Sequence, residues 1–300
     1  MSVNWAEMTN KGWELSISTR NIKTDDFEWN TNFNIAHNEN KVLKEQQQIN
    51  STTPSREGYS ANSVWVIKTA GLDENGYPQF EKDGNIVSAD EYFSLYDQMA
   101  DYYPNYLAGS KLTNEELNDL LVNVGSRDPK YSGGIINTFK YKNIDLTVSA
   151  NFNLGMNVME RPPYSMTQYD KSNNASRVLL DVLRGNNKSL PNLMTNASAD
   201  GQYWMQQQLY TNMRPDFYNS LDIWHKEVNY LRISSIRLGY TLGKDMLQDL
   251  GLSSVRLSFE ARNPFVISNG YDGYFDPESF GNIYAQPQQK SYTIGVNLTF

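Results

Sequence analysis

From Tyr292 onward the chain alternates without a break. Tyr292, Ile294, Val296, Leu298 and Phe300 fall on one side of an extended strand, and Thr293, Gly295, Asn297 and Thr299 on the other. Every residue on the first side is large and apolar, every residue on the second is small or polar, and the last residue is aromatic. A half-buried strand of a soluble sheet has the same period, so the period alone leaves two readings open. The size contrast and the closing aromatic favour a strand with lipid on one side and water on the other.

The same alternation recurs upstream. Residues 10–22 set Trp13, Leu15, Ile17 and Thr19 against Glu14, Ser16, Ser18 and Arg20, and after the polar turn 23–26, Phe27, Trp29, Phe33 and Ile35 oppose Glu28, Asn30, Asn32 and Asn34. The short turn predicts a hairpin. Residues 131–141 lead through a turn at Lys142 and Asn143 into Ile144, Leu146, Val148, Ala150, Phe152 and Leu154, all on one face. Near residue 234 the next strand changes phase, from Leu231 and Ile233 to Ile236, Leu238 and Tyr240, and one extra residue in a β-bulge restores a single apolar face. In the strand after it, Val255, Leu257, Phe259 and Ala261 oppose Arg256, Ser258, Glu260 and Arg262.

Seven long strands result, and their connections alternate between short (23–26, 142–143, 242–251) and long (38–130, 156–227, 264–288). Antiparallel order then gathers the long connections at one end of the sheet, as in outer-membrane barrels. Within the long connections the sequence predicts a short strand at 63–70 and helices at 88–103, 113–124 and 176–184. Thr113 and Glu116 stand in capping-box spacing at the start of the second helix.

Composition narrows the class. Of 300 residues 39% are hydrophobic, yet 13% are aromatic, including 20 tyrosines, which suits strands that hide one face each better than a two-layer globule. A net charge of -8 argues against nucleic acid as a partner. The lack of cysteine removes disulfides, thiolate metal sites and thiol nucleophiles. No apolar run is long enough for a spanning helix, and Met1 is followed by polar sequence without the features of a signal peptide.

The runs NKGWELSISTRNIKTDDFEWNTNFNIAHNENKVL, RDPKYSGGIINTFKYKNIDLTVSANFNLG and NYLRISSIRLGYTLGKDMLQDLGLSSVRLSFEARNPF, followed by GYFDPES and SYTIGVNLTF, resemble the C-terminal part of SusC/RagA-like TonB-dependent outer-membrane transporters. The resemblance is weakest over 45–125 and 160–220. It implies an all-β fold, an antiparallel transmembrane segment of about seven strands out of the 22-stranded barrel of such transporters. Strands are expected near 10–37, 131–155, 228–263 and 289–300, and extracellular loops over 38–130, 156–227 and 264–288. It further implies an outer-membrane location, a SusD-like surface lipoprotein as partner, TonB acting through a missing N-terminal region, and oligosaccharides or peptides as cargo. Because the plug and the other strands lie outside these 300 residues, the resemblance implies a fragment, an open arc that does not transport alone. The reading from a different class is a soluble β-rich glycan-binding or adhesin module, whose apolar faces pack against a second sheet.

Little in the chain points to catalysis. The two histidines, His37 and His225, have no carboxylate or second histidine at ligand spacing, and there is no nucleophile elbow or P-loop. Neither a cofactor nor a metal is expected, and no enzyme activity. Asp272, Asp276 and Glu278 in GYDGYFDPES are of the residue types that form a glycosidase pair; turn-forming Asp and Pro account for them more simply. In QFEKDGNIVSAD, Gly84 sits at the sixth place of an EF-hand-like register, but Gln79 occupies the first ligand position, so a polar turn is the simpler reading. Candidates for ligand or partner contact are Tyr203, Trp204, Tyr271, Asp272, Tyr274 and Asp276, with Tyr92 and other loop tyrosines as further stacking groups or as loop packing. Arg232, Arg237, Arg256, Glu260 and Arg262 have a firmer physical case. An arginine on the lipid face costs roughly 2–4 kcal/mol near the midplane, so this band is expected to face the lumen and a plug.

Overall fold

The structure is a computed structural model that describes residues 6–46, 53–74, 76–97, 107–110, 112–160, 162, 177–191, 218–243, 247, 251–269, 276–279, 286 and 288–300. In chain order its first strands are β1 (Glu7–Lys23), β2 (Phe27–Lys44), β3 (Ser63–Ile67), β4 (Gly71–Leu72), β5 (Pro78–Lys82), β6 (Asn85–Val87), β7 (Leu95–Asp97), β8 (Leu107–Ser110) and β9 (Leu121–Ser126). The remaining strands are β10 (Tyr131–Tyr141), β11 (Ile144–Met159), β12 (His225–Thr241), β13 (Ser254–Asn269) and β14 (Ser291–Thr299). The α-helices among the described residues are α1 (Ala89–Tyr92), α2 (Asn114–Asp119) and α3 (Arg177–Leu183), with short 3-10 turns at Tyr218–Ser220 and Asp222–Trp224. The fold is mostly antiparallel β-sheet, and no described helix is long and apolar enough to cross a membrane.

Two compact units are present. One comprises Met8–Lys41, Ser126–Val158 and Lys226–Phe300, and the other Met1–Glu7, Val42–Gly125 and Met159–His225. The first is built on a seven-stranded sheet in the order β1-β2-β10-β11-β12-β13-β14, the seven strands expected from the alternation. β1 and β2 run further than the sequence predicts, by several residues at the end away from their shared turn.

Register carries one apolar face across the sheet. Phe33 stands opposite Ile135, and Ile135 opposite Ala150. Further along, Leu238 is opposite Phe259 and Phe259 opposite Ile294, while Tyr240, Leu257 and Val296 form the next row. Gly133 leaves room on this face for the Phe152 ring, which stacks on Phe33 with centroids 6.3 Å apart, so two strands close over the glycine between them. The short turns are tied to one another by backbone bonds. The Lys142 N–H donates to the Asp26 carbonyl over 2.9 Å, and the Thr241 N–H to the Asn143 carbonyl over 2.9 Å.

The phase change in β12 lies where the sequence puts it, between Ile233 and Ser235. The extra residue, however, belongs to the partner strand: Ile233 pairs with Phe265 and Ser235 with Arg262, so Asn263 and Pro264 together face Ser234. The chemistry of the two residues explains the location. Proline has no N–H for a ladder bond and is confined to such irregularities, and Asn263 takes a φ of 47°, a conformation asparagine tolerates better than most residues.

The second unit holds its own core, in which Phe80, Phe93, Leu221 and Trp224 are buried with Leu179 and Val182 of α3. The helix predicted over 88–103 stops at Tyr92, because Ser94 adopts a φ of 49° and the chain then extends into β7. That predicted for 113–124 ends at Asp119, and its Val-rich second half instead forms β9, paired with β3. Its capping box is formed as expected: the Glu116 N–H donates to Thr113 Oγ1 and the Thr113 N–H to the Glu116 carboxylate. The EF-hand-like stretch is a hairpin between β5 and β6, turned by Asp83 and Gly84, both at positive φ.

Candidate functional site

The face opposite the apolar one carries the charges, and each arginine named from the sequence finds a carboxylate within this chain. Arg256 lies 2.7 Å from Asp145 of β11 and also donates to Thr241 Oγ1 over 3.3 Å. Its guanidinium rests against Gly239, where any side chain would collide with it. Arg237 of β12 and Arg262 of β13 share Glu260, at 3.4 and 2.8 Å. These two pairs are open to water: the Arg237 and Arg262 side chains are 54% and 62% exposed.

Arg232 is different. Its side chain is 5% exposed, and it makes two ion pairs with one short segment. Nε donates to Glu278 over 2.7 Å and the far guanidinium nitrogen donates to Asp276. The bulge puts Arg232 on the same face as Arg237 although their numbers have opposite parity. Tyr230 precedes it on that face, buried, and accepts a hydrogen bond from the Asn153 side chain at 2.5 Å. Around these groups Met156, Val158 and Val228 form a small buried cluster with Val266 against it.

Asp276 is held as an anion by this arrangement. Burial pushes its carboxyl up, but the backbone N–H groups of Glu278 and Gln288 and the Arg232 guanidinium outweigh that, and it titrates below the ordinary aspartate range. Sequence reasoning places Asp276 among ligand contacts; the structure directs its carboxylate to Arg232. Glu278, which the sequence explains as part of a turn, is the second partner. Tyr203, Trp204, Tyr271, Asp272 and Tyr274 lie outside the described residues. Tyr92 is a packing residue, its ring stacked on Phe80 with centroids 4.6 Å apart, and burial pushes its phenol up.

On the opposite face the terminal strand is uncovered: Tyr292 is 64%, Ile294 81% and Phe300 86% exposed. Leu257, Phe259, Phe265 and Ile267 continue the apolar surface along β13. The sheet therefore has a charged, internally paired face and a bare apolar one.

Comparison with known proteins places this sheet. Across 99% of its length the chain is 24% identical to TonB-dependent receptor P39 of Formosa agariphila. It is 26% identical, over its whole length, to the TonB-dependent receptor SusC of Bacteroides thetaiotaomicron. End to end, the chain resembles part of a SusC/RagA-type TonB-dependent receptor. It spans 31% of the length of the first of these receptors and 27% of the second. Among solved structures, that of the RagAB peptide transporter superposes with a TM-score of 0.67 at 20% identity, covering 99% of this chain and 30% of the RagAB chain. No family model matches the chain. The SusC/RagA resemblance read from the sequence motifs thus extends to the fold.

Proposed function

We propose that the seven-stranded sheet is an arc of an outer-membrane importer of the SusC/RagA type. In this reading the bare apolar face meets lipid and the charged face lines the lumen. The whole receptor takes up oligosaccharides or peptides together with a SusD-like surface lipoprotein, energised by TonB. The observation that supports it best is the uncovered apolar surface running from β13 through β14, with Ile294 at 81% exposure. A soluble protein rarely leaves so large a contiguous apolar surface in water, whereas a barrel strand places that surface in the bilayer.

The test contrasts two substitutions in the full-length receptor, Ile294→Arg and Asn297→Arg. These residues occupy opposite faces of β14. Ile294→Arg is expected to abolish recovery of the heat-modifiable barrel from outer-membrane fractions and, with it, substrate uptake. Asn297→Arg is expected to leave both intact. Equal recovery of the two variants would refute the placement of the apolar face in lipid.

A further inference from the structure

We propose that residues 276–279 form a strap latched onto β12 by Arg232, and that the strap opens as a unit when either of its two ion pairs is removed. The inference concerns a moving part rather than transport, and its test does not depend on the transport reading.

The strap is closed on itself. The Ser279 N–H donates to the Asp276 carbonyl at 2.8 Å, Ser279 Oγ donates to the same carbonyl at 2.7 Å, and the Glu278 N–H donates to the Asp276 carboxylate at 3.0 Å. These bonds hold the turn in shape from within. What pins it down is different in kind. Both of its carboxylates converge on the one guanidinium, Glu278 also accepts a hydrogen bond from the Tyr230 phenol, Pro277 between them is buried, and the Gln288 N–H adds a longer bond to Asp276 at 3.3 Å.

The guanidinium makes the latch cooperative. Arginine keeps its charge at any pH a protein survives, so a nearly dry Arg232 must be neutralised by partners or rehydrated. Val266 faces it directly across the ladder from β13, and Tyr230 and Asn153 beside it on the same face are uncharged. Losing one carboxylate leaves the guanidinium half-paired in a dry site, which favours lifting the strap to admit water. The Asp276 and Glu278 pairs therefore break together rather than one at a time.

The chain has no cysteine, so Ser279→Cys introduces its single reporter thiol; the change gives up the Ser279 Oγ bond but keeps the N–H bond to the Asp276 carbonyl in every background compared. Its reaction with a hydrophilic maleimide is followed on the purified, folded protein in the parent, Glu278→Gln and Arg232→Met backgrounds. A control thiol, Ser291→Cys at the start of β14, is followed in the same three. Loss of a charged hydrogen bond corresponds to roughly tenfold to hundredfold faster labelling of the reporter thiol in both variants, with the control unchanged. A parent-like rate at position 279 in Glu278→Gln overturns the latch, as does equal acceleration at the control. Should Arg232→Met fail to fold, Glu278→Gln decides, since the Glu278 side chain is 24% exposed and better able to accept the change. Failure of both to fold would make the ion pairs part of the folding core and would also overturn the proposal.

Discussion

Arg232 and Arg262 stand on the same face of neighbouring strands, and their surroundings give them opposite energetic weight. Arg232 is buried and paired with two carboxylates, and removing it forfeits both ion pairs at once. Arg232→Met is expected to lower stability by about 3–5 kcal/mol. Arg262→Met, at a pair largely open to water, should cost no more than about 1 kcal/mol. Denaturant titration of the detergent-solubilised protein measures both. The Asp276 carboxyl titrates below its ordinary value, so its contribution is full above about pH 4 and is lost as pH falls through the folded-state value. The stability gap between the parent and Asp276→Asn should accordingly be widest near neutrality and shrink in acid below about pH 4. Which arginines share the face opposite the apolar one was legible from alternation. Their partners were not, because Asp145 lies 111 residues from Arg256 and nothing local to either announces the pair. Asp276 and Glu278 sit in a segment whose turn chemistry explains them without reference to Arg232.

Among the elements, the long strands were the easiest to read, since each repeats one contrast over nine residues or more. The short elements of the second unit were harder. The helices expected at 88–103 and 113–124 contain good helix formers, yet a positive φ at Ser94 ends the first and pairing of Val-rich β9 with β3 takes over the second. Local propensity yields where tertiary contacts favour a strand. The bulge between β12 and β13 shows the same limit. The phase change in β12 was visible, but only the register reveals that the additional residue is on β13. Asn263→Val is expected to cost about 1–3 kcal/mol, since a β-branched residue resists the φ of 47° held there, and to remove the Asn263 side-chain bond to the Gln289 carbonyl. Asn263→Gly, which accepts that φ but lacks the same bond, serves as the control, and denaturant midpoints of the two variants should differ accordingly.

On the scale of the molecule, the long connections are more than excursions. Leu179 and Val182 share a core with Phe80, Phe93 and Trp224, so α3, within the connection 160–220, is structural for its own unit. Deleting residues 160–220 removes both of these side chains with the rest of α3. The remaining residues of that unit should become sensitive to limited proteolysis, while the seven-stranded sheet, whose pairing involves none of them, still yields protease-resistant fragments. A resistant 42–125 region in the deletion variant would contradict this. The sheet itself tolerates changes in chain length very unevenly. Adding a residue to most of β12 would turn every later side chain over, carrying Arg237 to the apolar face and Leu238 to the charged one. Beside Ser234 the same addition does the reverse: it sets two residues against Asn263 and Pro264 and makes the ladder even. At that position alone in β12, a one-residue difference between relatives can pass without inverting the sheet.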